Sequence, residues 1–165
     1  MRGIDTVPLR SYAEAMVGLG AGPNISPVRI LVVDDSELMR RCLRNLLEQQ
    51  DQWCVCSEAT NGREAIEKAE QSLPDVIVLD FQMPEMNGLD AAREIRRRSP
   101  EIPILMVTLH MSPQLEHQAK RIGIRGACDK TDVGCVVDAV ETLLRHGTYY
   151  RSWHESGIDF NTRAR

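Results

Sequence analysis

Two hydrophobic patterns alternate along the chain from Val28 to Gly147. The first is a short run apolar at nearly every position, fit for a strand buried on both faces. Arg29 to Val33, Trp53 to Ser57, Asp75 to Leu79, Ile102 to Val107 and Gly126 to Asp129 predict five such strands. The second repeats every three to four residues, as an amphipathic helix does. Ser36 to Glu48 predicts the first helix, with Leu38, Met39, Cys42, Leu43, Leu46 and Leu47 in one inward stripe. Asn61 to Gln71 follows, with Ala65, Ile66 and Ala69 inward, then Asn87 to Arg98. Pro113 to Ile122 turns Leu115, Ala119 and Ile122 inward, and Val133 to Arg145 turns Val133, Val136, Val137, Val140 and Leu144. Strands alternating with helices predict an α/β domain with a parallel sheet covered on both sides.

The flanks read differently. Residues 1–27 hold four glycines and three prolines without sustained periodicity and are expected to form a flexible extension. Ser11 and Glu14 there have capping-box spacing and allow a short helix over 11–17. The tail over 148–165 is polar, yet carries Tyr149, Tyr150, Trp153 and Phe160, so it is expected to dock or to be a remnant linker. The 165 residues suit one domain. A net charge of −4 opposes direct nucleic-acid binding. No run of about 18 apolar residues is present, which opposes a membrane span, and the N-terminus is a poor secretion signal; a cytoplasmic protein is expected. The five cysteines have irregular spacing and read as reduced thiols, mostly small core residues.

Charge at the strand ends changes the picture. The first apolar run stops on Asp34 and Asp35, and the third stops on Asp80. Ligands of an open α/β sheet sit beyond the carboxyl ends of its strands. If those strands are neighbours, three carboxylates converge, and crowded like charges cost stability. A hard divalent cation such as Mg²⁺ resolves that crowding. Asp34, Asp35 or Ser36 could instead cap the following helix, but capping leaves Asp80 unexplained. Thr108 ends the fourth strand and Lys130 the fifth, placing a hydroxyl and an ammonium where an arriving anion would need them. Such a set suits phosphoryl transfer, with Asp80 as nucleophile, Lys130 as a point charge and Thr108 as a hydrogen-bond donor.

These residues carry a resemblance. The stretches LVVDDSELMR, PDVIVLDFQMPEMNGLDAAREIR, IPILMVTLH and GACDKTD resemble the receiver domain of two-component response regulators. The subgroup preceding a LuxR-type helix-turn-helix domain is the most similar. The resemblance implies a flavodoxin-like (βα)5 three-layer sandwich over 28–147, with sheet order 2-1-3-4-5. It implies that Asp35 ligates Mg²⁺ directly, Asp34 through water, and that Asp80 and the Gln82 carbonyl complete the shell. Asp80 would accept a phosphoryl group from a sensor histidine kinase or a phosphotransfer protein. Met83 and Pro84 would shape the adjoining loop. The expected role is a signalling phosphoacceptor rather than an enzyme, a stand-alone receiver whose last two helices present a face to a downstream protein or a homodimer partner.

Three departures bear on that expectation. Residues 151–165 are too few for a helix-turn-helix domain, so output is expected through a partner unless the sequence is a fragment of a longer regulator. The aromatic that the family usually carries three residues before its lysine is Ala127, and the small residue usual after its threonine is Leu109. Gln82 and His110 occupy the positions that tune phosphoryl lifetime. Ala127 and Leu109 favour a rival reading, a degenerate receiver acting as a phosphorylation-independent interaction module. A phosphohydrolase is disfavoured because Gln82 stands where such enzymes place a second aspartate. A nucleotide-binding domain is disfavoured because no glycine-rich loop follows the first strand. The arginines Arg93, Arg96, Arg97 and Arg98 read as a solvated helix end that suits the helix dipole.

Overall fold

The computed structural model describes residues 26–150. The expected flexible extension with its short helix over 11–17, and the tail aromatics Trp153 and Phe160, lie outside the described residues. Six strands form one parallel sheet: β1 (Val28–Val33), β2 (Trp53–Ala59), β3 (Val76–Asp80), β4 (Ile104–Thr108), β5 (Gly126–Asp129) and β6 (Tyr149–Tyr150). Their order is β2-β1-β3-β4-β5-β6, the expected order with one strand added at the edge. Five helices connect them: α1 (Glu37–Leu47), α2 (Gly62–Ser72), α3 (Gly88–Arg98), α4 (Pro113–Arg121) and α5 (Val133–Leu144).

Alternation along the strands divides the core. Leu31, Val33, Ile77, Leu79, Ile104 and Met106 face one side, where Ala65, Ile66 and Ala69 of α2, Ala91, Ala92 and Ile95 of α3, and Leu115 and Ala119 of α4 cover them. Ile30, Val32, Val76, Val78, Leu105 and Val107 face the other side, under Leu43 and Leu47 of α1 and Val136, Ala139, Val140 and Leu143 of α5. All five residues of β3 and of β4 are buried, because helices cover both faces.

Helix starts follow their caps. Ser36, Asn61, Asn87 and Ser112 each accept a backbone N–H from three residues on, at Met39, Glu64, Asp90 and Leu115. Pro113 opens α4 in the position where a missing N–H costs nothing.

The inward stripe of α1 is narrower than expected. Leu43 and Leu47 are buried, and Met39 and Leu46 are half-buried. Leu38 is 72% exposed, and Cys42, one turn further, is exposed too. At 100° per residue those two project to the side of the helix away from Leu43 and Leu47. An apolar residue pair at helical spacing marks a side of the helix, without fixing how wide a sector the sheet covers.

Tyr149 and Tyr150, read as tail, are the sixth strand. Gly126 and Ala127 pair with them. The Tyr150 hydroxyl donates to the Ile124 carbonyl at 2.7 Å, and Lys120 stands 4.4 Å from its ring centroid. Docking of the aromatic tail is therefore realised for these two residues, on the edge of the sheet itself.

Candidate functional site

The sheet order makes β1 and β3 neighbours, with Val33 beside Leu79. Both strands end in acids at the same edge. Carboxylate oxygens of Asp34, Asp35 and Asp80 all lie within 4.8 Å of one another. Asp34 and Asp80 are buried, whereas Asp35 is exposed. The capping alternative is settled by Ser36, which accepts the Met39 N–H at 3.3 Å. Asp34 Oδ1 accepts the Ser36 N–H at 2.9 Å, and its main-chain carbonyl takes Arg40 Nη1 at 2.8 Å. The turn after β1 thus holds Asp34 down and leaves Asp35 at the mouth.

Asp80 is fixed by the loop that follows it. Its Oδ1 accepts the Gln82 N–H at 3.0 Å, and Phe81 N–H bonds to the Val107 carbonyl at 3.0 Å. The chain returns at Gly88, whose N–H bonds to the Phe81 carbonyl at 2.8 Å. A Cβ at Gly88 would stand 2.2 Å from the Asp80 carbonyl oxygen, so only glycine allows this approach.

Lys130 follows β5 and reaches across the strand ends. Its Nζ is 2.6 Å from Asp34 Oδ2 and 2.8 Å from Asp80 Oδ2. The Asp34 contact falls outside ordinary hydrogen-bond geometry, so it is an ion pair by charge and distance. Burial, reinforced by the Asp34 charge, raises the Asp80 carboxyl above its ordinary 3.8, although Lys130 and the Gln82 N–H pull the other way. Burial also acts against the Lys130 cation, but pairing with the Asp34 and Asp80 carboxylates outweighs it and holds the ammonium above its usual 10.5.

Thr108 closes β4 and is fully buried. Its hydroxyl oxygen accepts the His110 N–H at 3.3 Å, and its carbonyl accepts the Lys130 N–H at 3.0 Å. The side chains of Gln82, Leu109 and His110 are exposed, Leu109 by 47%. Ala127 is fully buried between Met106 of β4 and Tyr150 of β6.

Of the nine residues singled out from sequence, the structure brings Asp34, Asp35, Asp80 and Lys130 into one cluster. Thr108 stands at the adjoining strand end, and Gln82 contributes its backbone. The sequence reading assigned Lys130 to an arriving anion and missed its resting partnership with two aspartates. Opposite charge at two sheet ends was the available signal. Gly88 closes the D-x-x-M-P-x-x-x-G stretch that carries the resemblance, but the reason for it, the close approach to the Asp80 carbonyl, shows only in the structure.

The donor set suits Mg²⁺. Three carboxylates supply hard oxygens at one point, and the buried Asp34 Oδ2 has no conventional hydrogen-bond donor.

An open parallel α/β sheet with an acidic cluster and a lysine at its carboxyl edge defines the flavodoxin-like receiver class. The response regulator receiver domain family matches residues 30–141, and the chain belongs to that family. Receivers of two-component systems are signalling phosphoacceptors that bind Mg²⁺ through an acidic pocket and interact with histidine kinases or phosphotransfer proteins. A LuxR-family response regulator from Aurantimonas sp. SI85-9A1 is similar in structure, with a TM-score of 0.73 at 30% identity, covering 75% of this chain and 89% of that one. The signal receiver domain of the putative regulator NarL from Mycobacterium tuberculosis gives 0.70 at 30% identity, over 73% of this chain and 98% of that one. Chemotaxis protein CheY of Thermotoga maritima is 44% identical over 78 residues, 47% of this chain and 64% of that protein. A protein-glutamate methylesterase/protein-glutamine glutaminase of Pyrococcus horikoshii is 46% identical over 81 residues, 49% of this chain and 22% of that protein. The matched stretch is thus under a quarter of that enzyme's length. Among the described residues, no helix is long and apolar enough to cross a membrane.

Proposed function

We propose that this chain is a Mg²⁺-dependent phosphoacceptor switch, with residues 28–147 as its receiver unit and Asp80 as the acceptor. The supporting observation is the convergence of Asp34, Asp35 and Asp80 with Lys130 at one sheet edge. An Asp80 carboxylate oxygen attacks the phosphorus of a phosphohistidine on a sensor kinase or phosphotransfer protein. The new P–O bond forms as the P–N bond breaks, and the imidazole leaves. Lys130 then exchanges an aspartate contact for a phosphoryl oxygen, and the Thr108 hydroxyl donates to another. Asp34, Asp35, Asp80 and the Gln82 carbonyl would hold Mg²⁺, which neutralises charge on the transferring group. Gln82 and His110, both exposed, tune access of water to the phosphoryl group. The added charge shifts the protein between two states, read by a downstream protein or a second copy. The LuxR-type subgroup, a cytoplasmic location and the absence of direct nucleic-acid contact belong to the same reading.

Ala127 favours the second reading, a phosphorylation-independent interaction module. Its buried methyl group offers no aromatic to reorient. The complete acidic cluster opposes that reading.

Mg²⁺ titration separates the two. A ligand that binds the folded state alone stabilises it by about 2.7 kcal/mol at a hundred times its dissociation constant. Mg²⁺ is expected to raise the melting temperature, and beryllofluoride with Mg²⁺ to raise it further. Because Asp80 must give up its proton to bind the cation, and its pKa is raised, the Mg²⁺ effect fades as pH falls toward that raised value. A melting temperature indifferent to both ligands near neutral pH rejects the phosphoacceptor reading.

A further inference from the structure

Two cysteines bracket the lysine of the site. Cys128 lies in β5 and is fully buried, and Cys135 is the third residue of α5 and is 4% exposed. Their sulfurs stand 2.6 Å apart, and Cys128 Sγ also donates to the Cys135 carbonyl at 3.3 Å. Between them run Asp129, Lys130, Thr131 and Asp132, the connection that aims Lys130 at Asp34 and Asp80. The sequence alone suggested separate core thiols, because a strand residue and a helix residue seven apart meet only where the chain turns back on itself.

We infer that Cys128 and Cys135 are an oxidisable pair that closes to a disulfide and fastens the Lys130 connection. The meaning of that fastening for phosphoryl uptake rests on the receiver reading above; the formation of the bond does not. Burial keeps charged oxidants out, so the reagent class is a small neutral peroxide. The Cys135 sulfur sits in the first turn of α5, where the helix dipole favours negative charge on a nucleophile. The Cys135 sulfur attacks one peroxide oxygen, the O–O bond breaks, the departing hydroxide takes the thiol proton, and a sulfenic acid and water result. The Cys128 sulfur then attacks the sulfenic sulfur, the S–O bond breaks, and a second water leaves. Two thiols are oxidised to one disulfide, and one peroxide is reduced to two waters. The chain segment closed by the bond contains Lys130, so the bond removes freedom from the residue that must trade an aspartate for a phosphoryl oxygen.

The test uses the full chain carrying Cys42→Ser, Cys54→Ser and Cys56→Ser, which leaves both buried cysteines native. Hydrogen peroxide is expected to remove two hydrogens from the intact mass, and dithiothreitol to restore them. Trypsin cuts after Lys130, between the two cysteines, so the peptides 126–130 and 131–145 should remain joined until reduced. Amide exchange over 129–134 should slow in the oxidised form and recover on reduction. Separate peptides, or oxygen added to either sulfur in place of a bond, overturn the pairing. A bond with unchanged exchange overturns the fastening. Phosphoryl uptake by the reduced protein is read separately, and its failure would count against the receiver reading while the peptide map still decides the pairing.

Discussion

Lys130→Ala is expected to lose about 3–5 kcal/mol of stability in metal-free buffer, the usual cost of removing one partner from a buried ion pair. The lysine is the counter-ion of Asp34 and Asp80, whose side chains are 0% and 2% exposed. Alanine leaves two buried carboxylates facing each other without a cation. Two remedies should each recover part of the loss. Mg²⁺ supplies charge at the same point. Acid does so through Asp80, whose folded-state pKa is already raised by burial. A raised carboxyl contributes stability that is complete below its unfolded value and is lost as pH rises through the folded value. Without Lys130 that folded value moves higher still, so the variant's deficit against the wild type should shrink on acidification. Urea unfolding across pH, with and without Mg²⁺, measures both. Phosphoryl uptake from acetyl phosphate should also slow by about 10²–10³, the typical cost of deleting one preorganised charge-stabilising group. An uptake rate equal to wild type in a folded variant would remove Lys130 from the reaction.

Gly88→Ala is the second large effect. The added Cβ would meet the Asp80 carbonyl oxygen at 2.2 Å, the Phe81 Cα at 2.9 Å and the Asp80 carbonyl carbon at 3.0 Å. All three are backbone atoms, so no rotamer change relieves the clash. Either α3 or the end of β3 must shift. The expected loss is about 3 kcal/mol, the upper end for overpacking a tight site. Because the clash falls on Asp80, one of the three clustered carboxylates, Mg²⁺ binding should weaken along with stability. Gly134→Ala provides the control. Its Cβ would meet Asp132 Oδ1 at an ordinary 3.7 Å, in the first turn of α5, and no loss is expected. Equal unfolding midpoints for Gly88→Ala and the wild type would contradict the close approach.

Most of the sheet is legible in sequence because parallel strands under two helical layers must be apolar on both sides. Continuous runs such as Val76 to Leu79 carry that signal directly. The acids are legible for the same reason: Asp34 follows the unbroken apolar stretch Ile30 to Val33, and Asp80 follows Val76 to Leu79. What is not legible depends on geometry. Two residues of β6 are too few to show a period, and Tyr149 and Tyr150 read as tail until Gly126 and Ala127 are seen beside them. Leu38 and Cys42 fall within a plausible apolar sector of α1, and only the sheet's actual reach excludes them. The Lys130 ion pairs and the Cys128–Cys135 contact need the turn after β5 to be drawn in space. Gly88 shows its necessity only when α3 is docked against the end of β3.

Intact mass after incubation with Mg²⁺ and acetyl phosphate, with Asp80→Asn as control, reads phosphoryl uptake at Asp80. Asparagine keeps the shape of the side chain and removes its nucleophilic oxygen anion. One phosphoryl group is expected on the wild type and none on the variant. The same adduct on Asp80→Asn, or no adduct on the folded, Mg²⁺-loaded wild type, would contradict uptake at Asp80.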